Sequence, residues 1–229
     1  MLPLRDTIPS RRFPLVNTAL IIANISVFIL ETTYGAIGEL DTFIAAYALT
    51  PAALLADPGA YWHTLFTSQF LHAGFWHLGG NMLYLFIFGD NVEDRLGPVR
   101  YLLAYLLWGT VAGLTQLVFH PGSFLPMMGA SGAVAGVLGT YYVLYPTAGV
   151  LTVVPFFGLA VFPASVFLGF WFVFQLLQGS TVGLAQLAQG AGGVAYFAHI
   201  GGFVSGVVSG LLVRRRTRRR VRTYWSYHA

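Results

Sequence analysis

The sequence predicts an all-α membrane protein: a bundle of six transmembrane helices with both termini in the cytoplasm. Three observations lead there. Hydrophobic residues make up 56% of the 229-residue chain and charged residues only 9%, where a soluble domain carries about a quarter charged; the mean hydropathy is +0.70. The charges are segregated, with no Lys or Arg between Arg12 and Arg95 and no formally charged side chain between Arg100 and Arg214. The remaining sequence falls into apolar runs of spanning length separated by polar turns, and the arginines sit where a positive-inside bias puts them on one side.

Residues 1–12 are polar, with Arg5, Arg11 and Arg12, and read as a cytoplasmic N-terminal segment. The membrane domain then covers 13–213. Its first span, Phe13 to Leu30, is a retained helix without a convincing small-residue cleavage site after it. Residues 31–75 hold Glu31, Glu39, Asp41 and Asp57 among aromatic clusters such as Tyr61-Trp62-His63. They are too polar to span and too apolar to be a free loop, which fits an outer connection lying in the interface.

A second span runs from about Phe75 to Phe88, followed by a polar turn from Gly89 to Arg95 that is read as solvated, with local ion pairs among Glu93, Asp94, Arg95 and Arg100. The third covers roughly Tyr101 to Phe119. The fourth begins near Ser131 and ends around Tyr145-Pro146. The fifth occupies the apolar run from about Thr147 to Leu177, broken by Pro155 and Pro163. Residues 178–192 are small and polar, an outer loop that with the fifth helix could gate substrate entry. The sixth runs from about Gly193 to Val213 and stops at the arginines, leaving 214–229 as a basic cytoplasmic tail.

Composition also excludes chemistries. With no cysteine there is neither a disulfide, a thiol nucleophile nor a thiolate metal ligand. The net charge of +4 does not indicate a nucleic-acid partner, because seven arginines lie together between Arg214 and Arg222 directly after an apolar helix. Such a cluster favours anionic lipid headgroups, making the bilayer itself a partner.

This topology places a few polar groups at one depth. His77 lies near the outer end of the second span with Asn81 one turn deeper on the same face, since they are i, i+4. Ser131 opens the fourth span in its outer half. His199 falls some two turns into the sixth, on the order of 10 Å at 1.5 Å per residue. Gly202, Gly206 and Gly210 share the stripe of His199, and Gly132, Ala135, Gly136 and Gly139 make a thin face beside Ser131; small faces let membrane helices approach closely. Packing them together brings His199 towards Ser131. A neutral imidazole within reach can then take the serine proton during attack. The Ser131 backbone N–H, the Asn81 amide and a His77 ring nitrogen are candidate donors to the oxyanion. No metal and no cofactor is expected.

Taken together these residues resemble the rhomboid family of intramembrane serine proteases. Gly129-Ala130-Ser131-Gly132 resembles its nucleophile motif, and Ala198-His199-Ile200-Gly201-Gly202 its histidine motif. His77-Leu78-Gly79-Gly80-Asn81 is similar to its oxyanion pair, with His72 matching a further histidine five residues upstream. Val92-Glu93-Asp94-Arg95-Leu96-Gly97 is similar to the turn that follows. The resemblance covers about residues 60 to 213. It implies a rhomboid-like bundle that cleaves transmembrane protein substrates near their outer ends, where small residues and helix-destabilising neighbours are preferred. The expected location is a bacterial-type inner (plasma) membrane. Two features depart from the pattern: Trp62-His63 stands where the family often has Trp-Arg, and Ala135 where some members have an aromatic that stacks on the histidine.

Plainer readings stand beside this one. Serine in a Gly/Ala-rich membrane helix is usually packing, and asparagine there is often interhelical glue. His63, His72, His120 and His228 are read as structural or exposed. A zinc protease would want a histidine pair at i, i+4 with an adjacent glutamate, which His72 and His77 do not make; an aspartyl protease would want two buried aspartates. A small transporter and a noncatalytic rhomboid-like binder of membrane helices remain the alternatives.

Overall fold

The computed structural model describes residues 1–183 and 195–226. Four helices are long and apolar enough to cross a membrane: Leu15–Ala36, Pro98–Phe119, Ala164–Thr181 and Tyr196–Arg214. A shorter apolar helix, Ser131–Leu144, lies among them. Another helix, Phe75–Tyr84, passes through a π-turn at Leu85–Gly89 directly into Asp90–Leu96, and four short helices between Leu40 and Thr67 precede it. The chain is a multi-pass integral membrane protein.

Ser131–Leu144 is the centre of the bundle. From Gly132 to Tyr141 every residue of it is buried. A Cβ on Gly202 would run into the carbonyl oxygen of Gly132, and one on Gly206 into that of Gly136. Only glycine permits the helix Tyr196–Ser226 to lie this close. The glycines of the central helix serve two neighbours at once. The Cβ positions of Gly132 and Gly136 point at Ala112 and Trp108 of Pro98–Phe119, while that of Gly139 points at the Phe203 backbone. Thr140 Oγ1 donates to the Gly206 carbonyl at 2.9 Å, and Trp108 Nε1 to Ser209 Oγ at 3.0 Å.

Several expected boundaries move. The first helix runs to Ala36 rather than Leu30, so Glu31 belongs to it and not to the outer connection. The region from Gly89 to Arg95 is helical, not a turn, and Glu93 is 5% exposed. Its carboxylate accepts the backbone N–H groups of Val16 (3.1 Å) and Asn17 (2.7 Å). These first-turn donors have no acceptor within their own helix, and a negative charge suits the positive end of the dipole; that is why the Glu93 side chain is buried.

The fifth span begins at Ala164, not near Thr147. Residues 149–163 form a hairpin instead, β2 (Gly149–Val154) and β3 (Gly158–Pro163). Pro155 and Pro163 cannot sit in a helix interior, and the turn between the strands takes left-handed backbone at Phe156 and Gly158. The segment Leu2–Asp6, expected as part of a plain polar arm, adds β1, giving an antiparallel sheet of order β1-β2-β3 at the end of the bundle where the first helix starts. The Asp6 carboxylate ties β1 down, accepting from Tyr141 Oη and from Asn91 Nδ2 (3.0 Å). The helical bundle thus stands with a small sheet added to it.

The sixth helix starts at Tyr196 and continues past the arginines to Ser226. His199 therefore lies in its first turn rather than two turns in. The expected outer loop 178–192 is helical at its start, with a π-turn at Gly179–Gly183; the rest of it lies outside the described residues.

Candidate active site

The loop that enters Ser131–Leu144 is held from the connection that follows the first helix. Leu49 and Met127 exchange backbone hydrogen bonds (3.0 and 2.8 Å), and the Gly129 N–H donates to the Ser68 carbonyl at 2.9 Å. Gly129 has φ +130°, and a Cβ there would stand 2.7 Å from His77 Cε1. Both the dihedral and the space demand glycine, so the residue two before the serine lies against the His77 ring. The connection itself is pinned by His63, whose Nε2 bonds the Ala46 carbonyl at 3.0 Å, and by Thr67 Oγ1 donating to the Tyr47 carbonyl at 2.7 Å. His63 thus supplies an anchor at the position where the Trp-Arg pattern is broken.

Ser131 is the first residue of its helix, so its backbone N–H has no intrahelical acceptor. Its Oγ is 2.8 Å from His199 Nε2. The other ring nitrogen, His199 Nδ1, is 2.8 Å from Gln175 Oε1. Trp171, one turn before Gln175, places its ring centroid 6.0 Å from that of His199 at an interplanar angle of 37°. Both come from the helix Ala164–Gln178.

A second group surrounds Asn81, which is buried. Its Nδ2 is 3.1 Å from His72 Nε2, and His72 Nδ1 is 3.2 Å from the Phe70 carbonyl. A carbonyl can only accept, so Nδ1 carries the proton and Nε2 accepts from the Asn81 amide. Burial, with the charge of His77 adding to it, pulls the His72 pKa down to about 4, so the ring is neutral near pH 7. The backbone of His72 is fixed in turn, its N–H donating to both carboxylate oxygens of Glu31 at 3.1 and 3.0 Å.

These residues open on one cleft of about 1250 Å³, lined by His77, Asn81, Ser131 and His199, with Trp171 and Phe174 on the side of the fifth helix. The structure thus brings Ser131 and His199 into hydrogen-bond contact and sets His77 and Asn81 at the same cleft. Two residues at this site, Glu31 and Gln175, are not marked by the sequence, and a third, His72, is marked only by the family resemblance. On its residues alone the sequence reads His72 as structural, and it places Glu31 in an interfacial connection. Gln175 is not singled out either, although an amide in a largely apolar membrane helix is itself a functional signal.

A family model described as "Rhomboid domain" matches residues 59–216. The chain is 35% identical over 159 residues to "Rhomboid protein 1, mitochondrial" of Saccharomyces cerevisiae, covering 65% of this chain and 41% of that protein. It is 39% identical over 80 residues to "Putative rhomboid protease YdcA" of Bacillus subtilis, covering 35% of this chain and 40% of the relative. With "Rhomboid protease GluP" of the same organism the identity is 38% over 112 residues, 49% of this chain and 21% of the relative. The similarity spans about two fifths or less of the length of these relatives.

Proposed function

Because the chain belongs to the rhomboid family, we propose that it is an intramembrane serine endopeptidase, cleaving transmembrane segments of membrane proteins near the outer face with a Ser131–His199 dyad. The observation that carries this reading is the 2.8 Å separation of Ser131 Oγ and His199 Nε2 inside a cleft.

In this mechanism Ser131 Oγ attacks the scissile carbonyl carbon while its proton passes to His199 Nε2. The carbonyl oxygen becomes an oxyanion, held by the Ser131 backbone N–H, by a His77 ring nitrogen and by Asn81. Asn81 carries two N–H donors, and only one is taken by His72, which leaves the second for the oxyanion. The imidazolium then gives its proton to the leaving amine as the C–N bond breaks. Water, with His199 again as base, hydrolyses the acyl-enzyme and returns the proton to Ser131.

The topology follows the arginines. Six helices span, 1–12 and the basic tail 214–229 are cytoplasmic, and the connection 37–75 lies at the outer interface. The central helix has 14 residues, on the order of 21 Å at 1.5 Å per residue against a hydrocarbon core of about 30 Å. With its C-terminal end at the cytoplasmic side, Ser131 sits below the outer surface, within reach of a transmembrane substrate. The helix Ala164–Gln178 is the gate for that substrate. A noncatalytic binder would have no use for a serine and histidine in contact, which favours the enzyme.

A serine-directed fluorophosphonate tests the reading: it labels the wild type and neither Ser131→Ala nor His199→Ala. Equal labelling of Ser131→Ala would sink it.

A further inference from the structure

A base that must accept the Ser131 proton at Nε2 needs its own ring proton on Nδ1, and something has to hold it there. We propose that Gln175 is the positioning residue of His199, its side-chain carbonyl accepting the Nδ1 proton and fixing both the tautomer and the tilt of the ring. The inference rests on the reading of Ser131 and His199 as a dyad.

The geometry supports it from several sides. Gln175 Oε1 lies 2.8 Å from His199 Nδ1, and Gln175 is buried. If the amide were turned so that its NH₂ met Nδ1, the remaining ring proton would sit on Nε2 and point at the serine oxygen. The imidazole would then be a donor to Ser131 and useless as a base. Trp171 and Gln175 are i, i+4 and share a helix face, so one helix supplies both the ring beside the imidazole and the acceptor at its far nitrogen. Among the described residues, the other titratable side chains lining the cleft are His77, Tyr84, His120 and Tyr196, and no Asp or Glu lines it.

That absence of a carboxylate makes physical sense. In soluble serine proteases a buried aspartate orients the histidine. Within a membrane, an ionised side chain is expensive, whereas an amide oxygen makes the same hydrogen bond without a net charge. Glutamine is the acceptor that a membrane helix can carry at low cost, with weaker stabilisation of the imidazolium as the consequence.

The test uses the full-length protein in detergent micelles with a fluorogenic transmembrane substrate. Gln175→Leu keeps the bulk and removes the acceptor; its expected effect is a loss of about 10- to 100-fold in kcat with KM unchanged, since general-base catalysis contributes about 10²–10⁴-fold in all. Gln175→Glu restores an acceptor, so it recovers at least part of kcat, and its charge moves the acidic limb of the kcat–pH profile to higher pH. In ¹⁵N spectra of histidine-labelled protein, the wild type shows His199 protonated at Nδ1 alone, and Gln175→Leu a mixture of tautomers. A kcat within twofold of wild type in Gln175→Leu, while Ser131→Ala is dead, overturns this inference and leaves the dyad standing. Equal loss in Gln175→Leu and Gln175→Glu, together with a lowered melting temperature in both, assigns the residue to packing and also overturns it. Full cleavage by Ser131→Ala overturns the dyad and this inference with it.

Discussion

Gly202 and Gly132 lie so close that a Cβ on Gly202 would run into the carbonyl oxygen of Gly132. One turn before Gly202 is His199, and next to Gly132 is Ser131. The separation of the two backbones therefore sets the separation of the hydroxyl and the imidazole.

Gly202→Ala is expected to force those helices apart. Overpacking of this kind costs about 1–3 kcal/mol, and a shift of about 1 Å at a reacting pair costs roughly 10² in rate. Melting in detergent and fluorophosphonate labelling should both fall. Gly79→Ala is the control, because nothing stands within 4 Å of the Cβ it would gain. Equal effects of the two substitutions would show that close approach is not what Gly202 provides.

Asn81→Ala removes a proposed oxyanion donor, and kcat should drop by roughly 10²–10³ with little change in KM. His72→Ala leaves the donor in place but loose, so its loss should be smaller. The order of the two, read from initial rates on one substrate, checks the assignment; a larger loss in His72→Ala would reverse the roles.

The His72 ring makes the site sensitive to acid. Its folded pKa of about 4 lies below the ordinary 6.5, so between those values the unfolded chain binds a proton that the folded chain refuses. The ring's contribution to stability then rises with pH across that window and declines on acidification from about 6.5 towards 4. Below about 4 the ring charges in the folded state as well, and Nε2 can no longer accept from Asn81. His72→Ala should melt lower than wild type at pH 7 yet lose less between pH 7 and pH 5. An undiminished acid loss in the variant would place the titrating group elsewhere.

Glu93→Gln tests the cap at the other end of the bundle. The amide keeps one acceptor but loses the charge at the start of the first helix, for an expected cost of about 1 kcal/mol in stability. Because the site lies at the opposite helix ends, the labelling rate of Ser131 should not change. A fall in labelling at unchanged melting temperature would contradict that separation.

Much of this molecule was legible in the chain because the membrane leaves few choices. Charge had to be segregated, apolar runs had to be helical, and glycines spaced by three and four had to mark where helices touch; from these the bundle, the helices Pro98–Phe119 and Ser131–Leu144, and the meeting of Ser131 with His199 follow. Periodicity spoke less clearly at the ends. The hairpin at 149–163 is as apolar as a span, and only its prolines argued against a helix. Glu93 reads as a solvated charge and Glu31 as part of an interfacial connection, because nothing local says that a helix start or a loop N–H will come to meet a carboxylate from forty or more residues away. Gln175 is the same case at the heart of the site: the amide was visible, but its partner was chosen by the docking of one helix against another. Sequence determines which side chains can do chemistry and roughly how deep they lie. Their hydrogen-bond partners are settled by the packing of remote segments, which is a property of the assembled bundle alone.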